Sequence, residues 1–345
     1  MSELRNILTD SVNGLFGDRV TKELLTEFDT SGGADGLWDE VEAQGLTRPL
    51  VSEEKGGVGG EWRDAHVLLF AQGYHCAPLP LGETILATWL AEKSGLDVPD
   101  GAVTVIDGRG SLTLDGGKLS GTAARVPWAS KAANAVVIAE NGAGPKIGLL
   151  DLSQAEIASG ENVAKEPRND VTLSGAAVDM KPLPNDVPAD GIMLYGAMVR
   201  AAQLAGALEK VLQQAVQYAN ERTQFGRPIG KFQAIQQELA RCAGEAAASA
   251  VIAEAPFAAL DEGQPAEYLI AAAKARASEA AGIAASVGHQ THGAIGFTYE
   301  HSLHFATRRL WSWRSEFGGQ RFWWKKLGER TVSRGADNFW PDITG

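Results

Sequence analysis

Two cysteines, Cys76 and Cys242, are all that 345 residues carry, and they lie far apart. That scarcity excludes a disulfide framework and points to reduced thiols in a cytoplasmic protein. Positive charge is also short: 31 Lys and Arg against 43 Asp and Glu leave a formal net charge of -12. A nucleic-acid partner needs concentrated cation and is not expected. A phosphorylated small molecule needs only a local basic pocket and stays open. The opening residues, Met1-Ser-Glu-Leu-Arg-Asn6, have no basic-then-apolar run of a signal peptide. No apolar run is expected to be long enough to span a bilayer, and no membrane contact is expected. The glycine-rich stretch Glu53–Gly60 has neither a preceding strand nor a closing Lys-Ser/Thr, which makes it a poor phosphate loop.

What is present divides into three zones. Residues 1–100 show helical apolar spacing, as in Leu4-Ile7-Leu8, Val67-Leu68-Leu69 and Ile85-Leu86-Trp89-Leu90. Residues 101–186 switch to short β-type runs: Val103–Ile106, Leu112–Leu114, Ala135–Ile138, Ile147–Leu150 and Val171–Leu173. Turn signals such as Asp107-Gly108 and Asp115-Gly116-Gly117 separate them, and the spacing predicts a small antiparallel barrel or sandwich. Residues 187–345 are helical again and rich in alanine, which lets helices approach closely. Leu194 through Ala215 give one stripe, Phe232 through Ala255 a second that is expected to stop before Pro256, and Ala266 through Val287 a third. The expected fold class is α+β, mostly α: a helical domain, a small β unit and a C-terminal four-helix bundle.

One segment concentrates chemistry. Tyr218-Ala-Asn-Glu-Arg222-Thr-Gln-Phe225-Gly226-Arg-Pro228-Ile-Gly-Lys-Phe-Gln233 breaks a long helix at Gly226 and Pro228 and restarts another. An arginine, an amide and an aromatic meet at a corner that can grip phosphate and stack on a flat ring. A second segment, Gln290-Thr-His292-Gly293-Ala-Ile-Gly296-Phe297-Thr-Tyr-Glu300, reads as a glycine turn after a helix. The histidine pairs His289/His292 and His301/His304 have a spacing that could present metal ligands. They lack a nearby cysteine or a completing carboxylate, so a structural role is expected and no metal. Trp311, Trp313, Trp323 and Trp324 interleave with Arg308, Arg309, Arg314 and Arg321, and an interface face is expected there.

The first segment resembles, nearly residue for residue, the ER-x-x-FG-x-x-(I/L)-x-x-(F/H)Q corner of acyl-CoA dehydrogenases, which binds FAD across a subunit interface. The second is similar to that family's Q-x-x-GG-x-G-(Y/F)-x-x-E turn, with Ala294 in place of one glycine. The resemblance covers most of the chain. It implies that Arg222 neutralises the FAD pyrophosphate, with Gln224 beside it, Phe225 against the adenine side and Gln233 as a further polar contact. Gln290 would offer its amide to ribose or phosphate, and Gly293 would let the backbone approach. It also implies an acyl-CoA substrate and electron-transfer flavoprotein as acceptor.

Family members abstract an α-proton with a glutamate while hydride leaves the β-carbon for the flavin. Counting without gaps from Gln290 puts Phe317 at the position of that base, and one deletion would put Glu316 there. A second family position, about Tyr195-Gly196-Ala197, holds no acid. The flavin-facing strand carries Arg125 and Pro127, and the family's T-E-P-x-x-G-S-D loop is missing. These departures resemble the degenerate subunit of heteromeric α2β2 acyl-CoA dehydrogenases of bacterial steroid side-chain degradation. The implied partner is a homologous chain. A self-sufficient homo-oligomer with Glu316 as base, and a non-catalytic scaffold subunit, are the alternatives.

Overall fold

The computed structural model describes residues 2–34, 36–142 and 144–344. Five helices come first: α1 (Glu3–Arg19), α2 (Lys22–Ser31), α3 (Leu37–Ala43), α4 (Trp62–His75) and α5 (Leu81–Lys93). Side-chain caps set two of the starts, Ser2 accepting from Arg5 N and Thr21 from Leu24 N. The start of α4 is capped from far away: the Asp261 carboxylate accepts from Trp62 N at 2.6 Å and Arg63 N at 3.0 Å. A negative group on a helix N-terminus satisfies orphan donors and suits the dipole.

Eight strands follow: β1 (Val103–Asp107), β2 (Leu112–Asp115), β3 (Lys118–Pro127), β4 (Asn134–Asn141), β5 (Gly144–Asp151), β6 (Ala155–Ala158), β7 (Arg168–Ala177) and β8 (Met180–Pro182). They form two four-stranded sheets, ordered β1-β4-β5-β8 and β2-β3-β7-β6. Ile106, Ala135 and Val137 of one sheet share a core with Leu119, Ala123 and Val171 of the other. The unit is therefore an open sandwich. The expectation of an all-antiparallel unit needs one correction: β1 and β4 run parallel, Val103 opposite Asn134 through Asp107 opposite Ile138. The chain leaves β1 to build β2 and β3 in the other sheet before returning, and such a crossover permits parallel pairing.

The C-terminal part comprises α6 (Gly191–Glu221), a two-residue hairpin β9/β10 (Thr223–Gln224 and Arg227–Pro228), α7 (Gln233–Asp261), α8 (Glu267–His292), α9 (Leu303–Trp313), α10 (Gln320–Arg334) and α11 (Phe339–Thr344). Glycines set how closely α4 and α6 pack. A Cβ on Gly73 would lie 2.0 Å from Gln203 O, and one on Gly206 would lie 2.0 Å from Phe70 O. The main core joins α1, α4 and α5 to β1, β4 and α6, so one apolar interior spans all three zones.

Two further expectations are corrected. Helix α7 runs through Pro256 to Asp261 because Pro256, Phe257 and Ala259 are buried; that burial offsets the lost backbone bond. Both α6 and α7 reach the apolarity of a membrane span, with 18-residue windows of mean hydropathy 1.2. Arg200 and Gln203 interrupt the apolar run of α6, so it does not read as a continuous span in the sequence.

Candidate active site and cofactor-facing surface

Between the sandwich and the bundle lies a cavity of about 600 Å³, walled by Arg125, Pro127, Arg168, Ile192, Glu316 and Phe317 among others. Arg125 sits at an irregularity of β3 with φ 56, its N–H held by Asp170 Oδ1 at 2.8 Å. Bulges commonly re-aim side chains beside a cavity.

Glu316 stands in the cavity wall but is not free. Arg168 donates to both its oxygens at 2.8 Å, Nε to Oε1 and Nη2 to Oε2. Arg200 Nε donates at 2.7 Å and Asn162 Nδ2 at 3.1 Å. Burial works against ionisation of this carboxyl, yet Arg168 and then Arg200 outweigh it and hold the group at about 2. The network extends outward: Arg200 pairs with Glu83, and Arg168 with Glu166 at 3.1 Å. Glu166 in turn accepts from Trp313 Nε1 at 2.8 Å and lies 3.2 Å from Arg309 Nε. Three arginines and three glutamates thus alternate, and they come from α5, α6, α9, the sandwich and the loop after α9.

The folded carboxyl titrates near 2, against an ordinary value of 4.5. A depressed carboxylate contributes stability that is full above pH 4.5 and is lost as pH falls through that range toward 2. The span corresponds to about 3 kcal/mol at about 1.4 kcal/mol per pH unit. Acid unfolding between pH 4.5 and 2 should therefore be steeper in the native protein than in Glu316→Gln, as circular dichroism would record.

Phe317, the residue at the gap-free position, has φ 50. Its ring lies where a side chain on Gly196 would be: a Cβ there would meet Phe317 Cδ1 at 2.5 Å. The Arg200 guanidinium lies 5.5 Å from the same ring's centre. The loop bearing both residues is pinned by buried Lys274, whose Nζ donates to Arg314 O at 3.0 Å and Gly318 O at 2.8 Å. Burial, the largest influence, lowers that amine to about 7. Sequence reasoning missed Arg168, Arg200 and Lys274. No local motif marks them, and a buried cation shows itself only once its partners are assembled.

The corner residues lie elsewhere, on an outer surface. Arg222, Gln224, Phe225 and Gln233 are all exposed, and Phe225 is 91% accessible. Among the described residues the Arg222 side chain has no hydrogen-bond or ion-pair partner. Phe225 and Gly226, at φ 53 and 77, turn the hairpin, the positive-φ pair of a type I′ turn. Gln290 is exposed at the end of α8, and Gly293 follows at φ 66, ψ -147 with open space where a Cβ would point. That backbone region is essentially glycine's alone. A free guanidinium, an exposed ring and an open glycine suit a dinucleotide arriving from outside the chain.

The four histidines pack as rings. His289 stacks on Phe297 at 3.9 Å, His292 on Tyr218 at 4.4 Å, and His304 lies 4.0 Å from Phe305. The tryptophans do not share one face, contrary to expectation. Trp313 and Trp323 are core residues, whereas Trp311 and Trp324 are about half exposed. Helices α9 and α10 meet different neighbours, so a shared spacing does not give a shared face.

Residues 189–317 match the model of the acyl-CoA dehydrogenase C-terminal domain. Over 283 residues the chain is 34% identical to acyl-CoA dehydrogenase IpdE2 of Mycobacterium tuberculosis, covering 81% of each protein. The fold matches a chain of the ChsE4-ChsE5 complex from Mycobacterium tuberculosis with TM-score 0.90 at 24% identity, over 97% of this chain and 99% of that one. It matches the Tcur3481-Tcur3483 steroid ACAD with TM-score 0.87 at 25% identity, over 96% and 98%.

Proposed function

The chain belongs to the acyl-CoA dehydrogenase family, and on that premise we propose that it is one subunit of a heteromeric enzyme. It lends a homologous partner chain the half-site that holds FAD. The observation that carries this reading is the projecting corner of Arg222, Gln224 and Phe225, whose guanidinium has no hydrogen-bond or ion-pair partner among the described residues. Gln233, Gln290 and Gly293 would complete the grip, Arg222 meeting the pyrophosphate with a forked donor. Bound FAD would accept the hydride leaving the β-carbon of the acyl thioester.

The α-proton calls for a base whose pKa lies near working pH, in a water-poor pocket. Glu316, held at about 2 by two guanidiniums, is a poor candidate, and Phe317 fills the space an acid on α6 at Gly196 would need. We therefore assign the base to the partner chain and give Glu316 the role of joining sandwich to bundle. The outward face of α7 supports assembly. Its apolar window is only 33% buried, against 94% for the equally apolar window of α6. The steroid ACAD likeness supports a bulky polycyclic acyl-CoA as substrate. Electron-transfer flavoprotein is the proposed acceptor.

Expression alone and together with a homologous chain tests the reading. The lone protein should be colourless. The co-expressed complex should be yellow and form enoyl-CoA. Stoichiometric FAD retained by the lone chain would sink the proposal.

A further inference from the structure

The corner and the glycine turn are 68 residues apart in the sequence, counting from Arg222 to Gln290. We infer that stacked Tyr218 and His292 form the joint that fixes one against the other, making His292 a positioning residue for the shared cofactor. This rests on the reading that Arg222 and Gln290 serve one dinucleotide.

Each ring is coupled directly to its own half of the grip. Tyr218 lies one helical turn before Arg222, and its carbonyl accepts from Arg222 N at 2.8 Å. His292 is the last residue of α8, two after Gln290 and next to Gly293. The two rings stack at 4.4 Å with 26° between planes. His301 closes the group, 4.5 Å from His292 and 6.0 Å from Tyr218, both edge-on. His301 Nδ1 also accepts from Leu303 N at the start of α9. The ends of α6 and α8 and the start of α9 therefore meet on three rings.

The His292 ring has little freedom. It is 4% exposed, and its Nδ1 lies 2.8 Å from Gly288 O, so that nitrogen carries the proton. Nε2 is buried and without a partner among the described residues, an arrangement that costs stability. A flat ring in a fixed plane is what the site retains at that cost. An aliphatic side chain would fill the space without setting the angle between the two motifs.

The test is flavin affinity, read by fluorescence titration of FAD into the flavin-stripped form of the co-expressed complex, together with thermal unfolding. His292→Ala should weaken binding about tenfold, the scale of a coupled pair, and lower the thermal midpoint by a few degrees through loss of a buried ring. His292→Phe should bind within about threefold of the native protein, because it keeps the ring. A double-mutant cycle with Arg222→Ala separates positioning from general loosening. If His292 acts by placing Arg222, its loss should matter little once Arg222 is gone; additive effects, or failure of His292→Phe to rescue, would overturn the inference. Should His292→Ala not fold, Tyr218→Leu reads the same coupling from the other side. Unchanged affinity in Arg222→Ala alone would instead overturn the cofactor reading beneath it.

Discussion

Glu316→Gln should lower the thermal midpoint of the protein by about 4–7 °C and leave turnover of the assembled enzyme nearly intact. The carboxylate compensates two guanidiniums whose side chains are 1% exposed. Removing one partner of a buried ionic group leaves uncompensated charge and costs about 3–5 kcal/mol. With an unfolding entropy of about 2.1 cal/mol/K per residue over 345 residues, that gives the stated shift. Glutamine keeps the shape and one acceptor, so local geometry survives while the charge balance fails. The activity measurement discriminates sharply. Loss of a general base costs about 10²–10⁴ in rate. A fall of that size per bound flavin, with flavin content unchanged, would show that Glu316 removes the proton after all. Calorimetry alongside steady-state enoyl-CoA formation reads both quantities.

That network also marks where sequence reading stops. Glu316 was visible as an acid near the family's base position, but its partners Arg168 and Arg200 are 148 and 116 residues away. No periodicity or motif links three such positions; only the packing of sandwich on bundle does. The corner at Tyr218–Gln233 was legible for the opposite reason. Its helix end, turn and helix restart are all encoded by neighbours within one short segment. The long helices were legible too, since apolar spacing repeats many times in each. The strand Lys118–Pro127 was not legible in its own pattern, and only the resemblance put Arg125 and Pro127 on a strand. Its burial alternates irregularly, with a shift of register between Ala123 and Val126, which breaks the period of two on which strand reading depends. The parallel pairing of β1 and β4 was hidden because register and direction are tertiary choices. The histidine pairs carry the same lesson in side chains. Spacing alone put two rings within reach of a ligand, whereas each ring packs against aromatics from another turn of the fold.

Arg222→Ala should weaken FAD retention about 100-fold while leaving the folding of the chain untouched. The side chain makes no ion pair or hydrogen bond within the described residues, so its removal costs the monomer nothing polar. Against a pyrophosphate it would place two charge-assisted bonds, together worth about 3 kcal/mol at the lower end of the range of about 1.5–3 kcal/mol for each. About 2.7 kcal/mol corresponds to 100-fold. The neighbouring turn makes the same case independently. Phe225 occupies a left-handed position that asparagine or glycine would hold more cheaply, by about 1–2 kcal/mol. It does so while 91% exposed, with an edge-on contact to Phe232, ring centres 6.1 Å apart, inside its own chain. Strain kept at a solvent-facing aromatic is explained by contact with something absent from the monomer. Phe225→Asn should accordingly stabilise the isolated subunit and weaken flavin binding in the complex, an opposition that intrachain packing cannot produce. Flavin released on dilution of each variant complex, followed by its fluorescence, measures the loss. Native retention in Arg222→Ala would mean that the guanidinium faces solvent for some other reason and that the cofactor is held entirely by the partner chain.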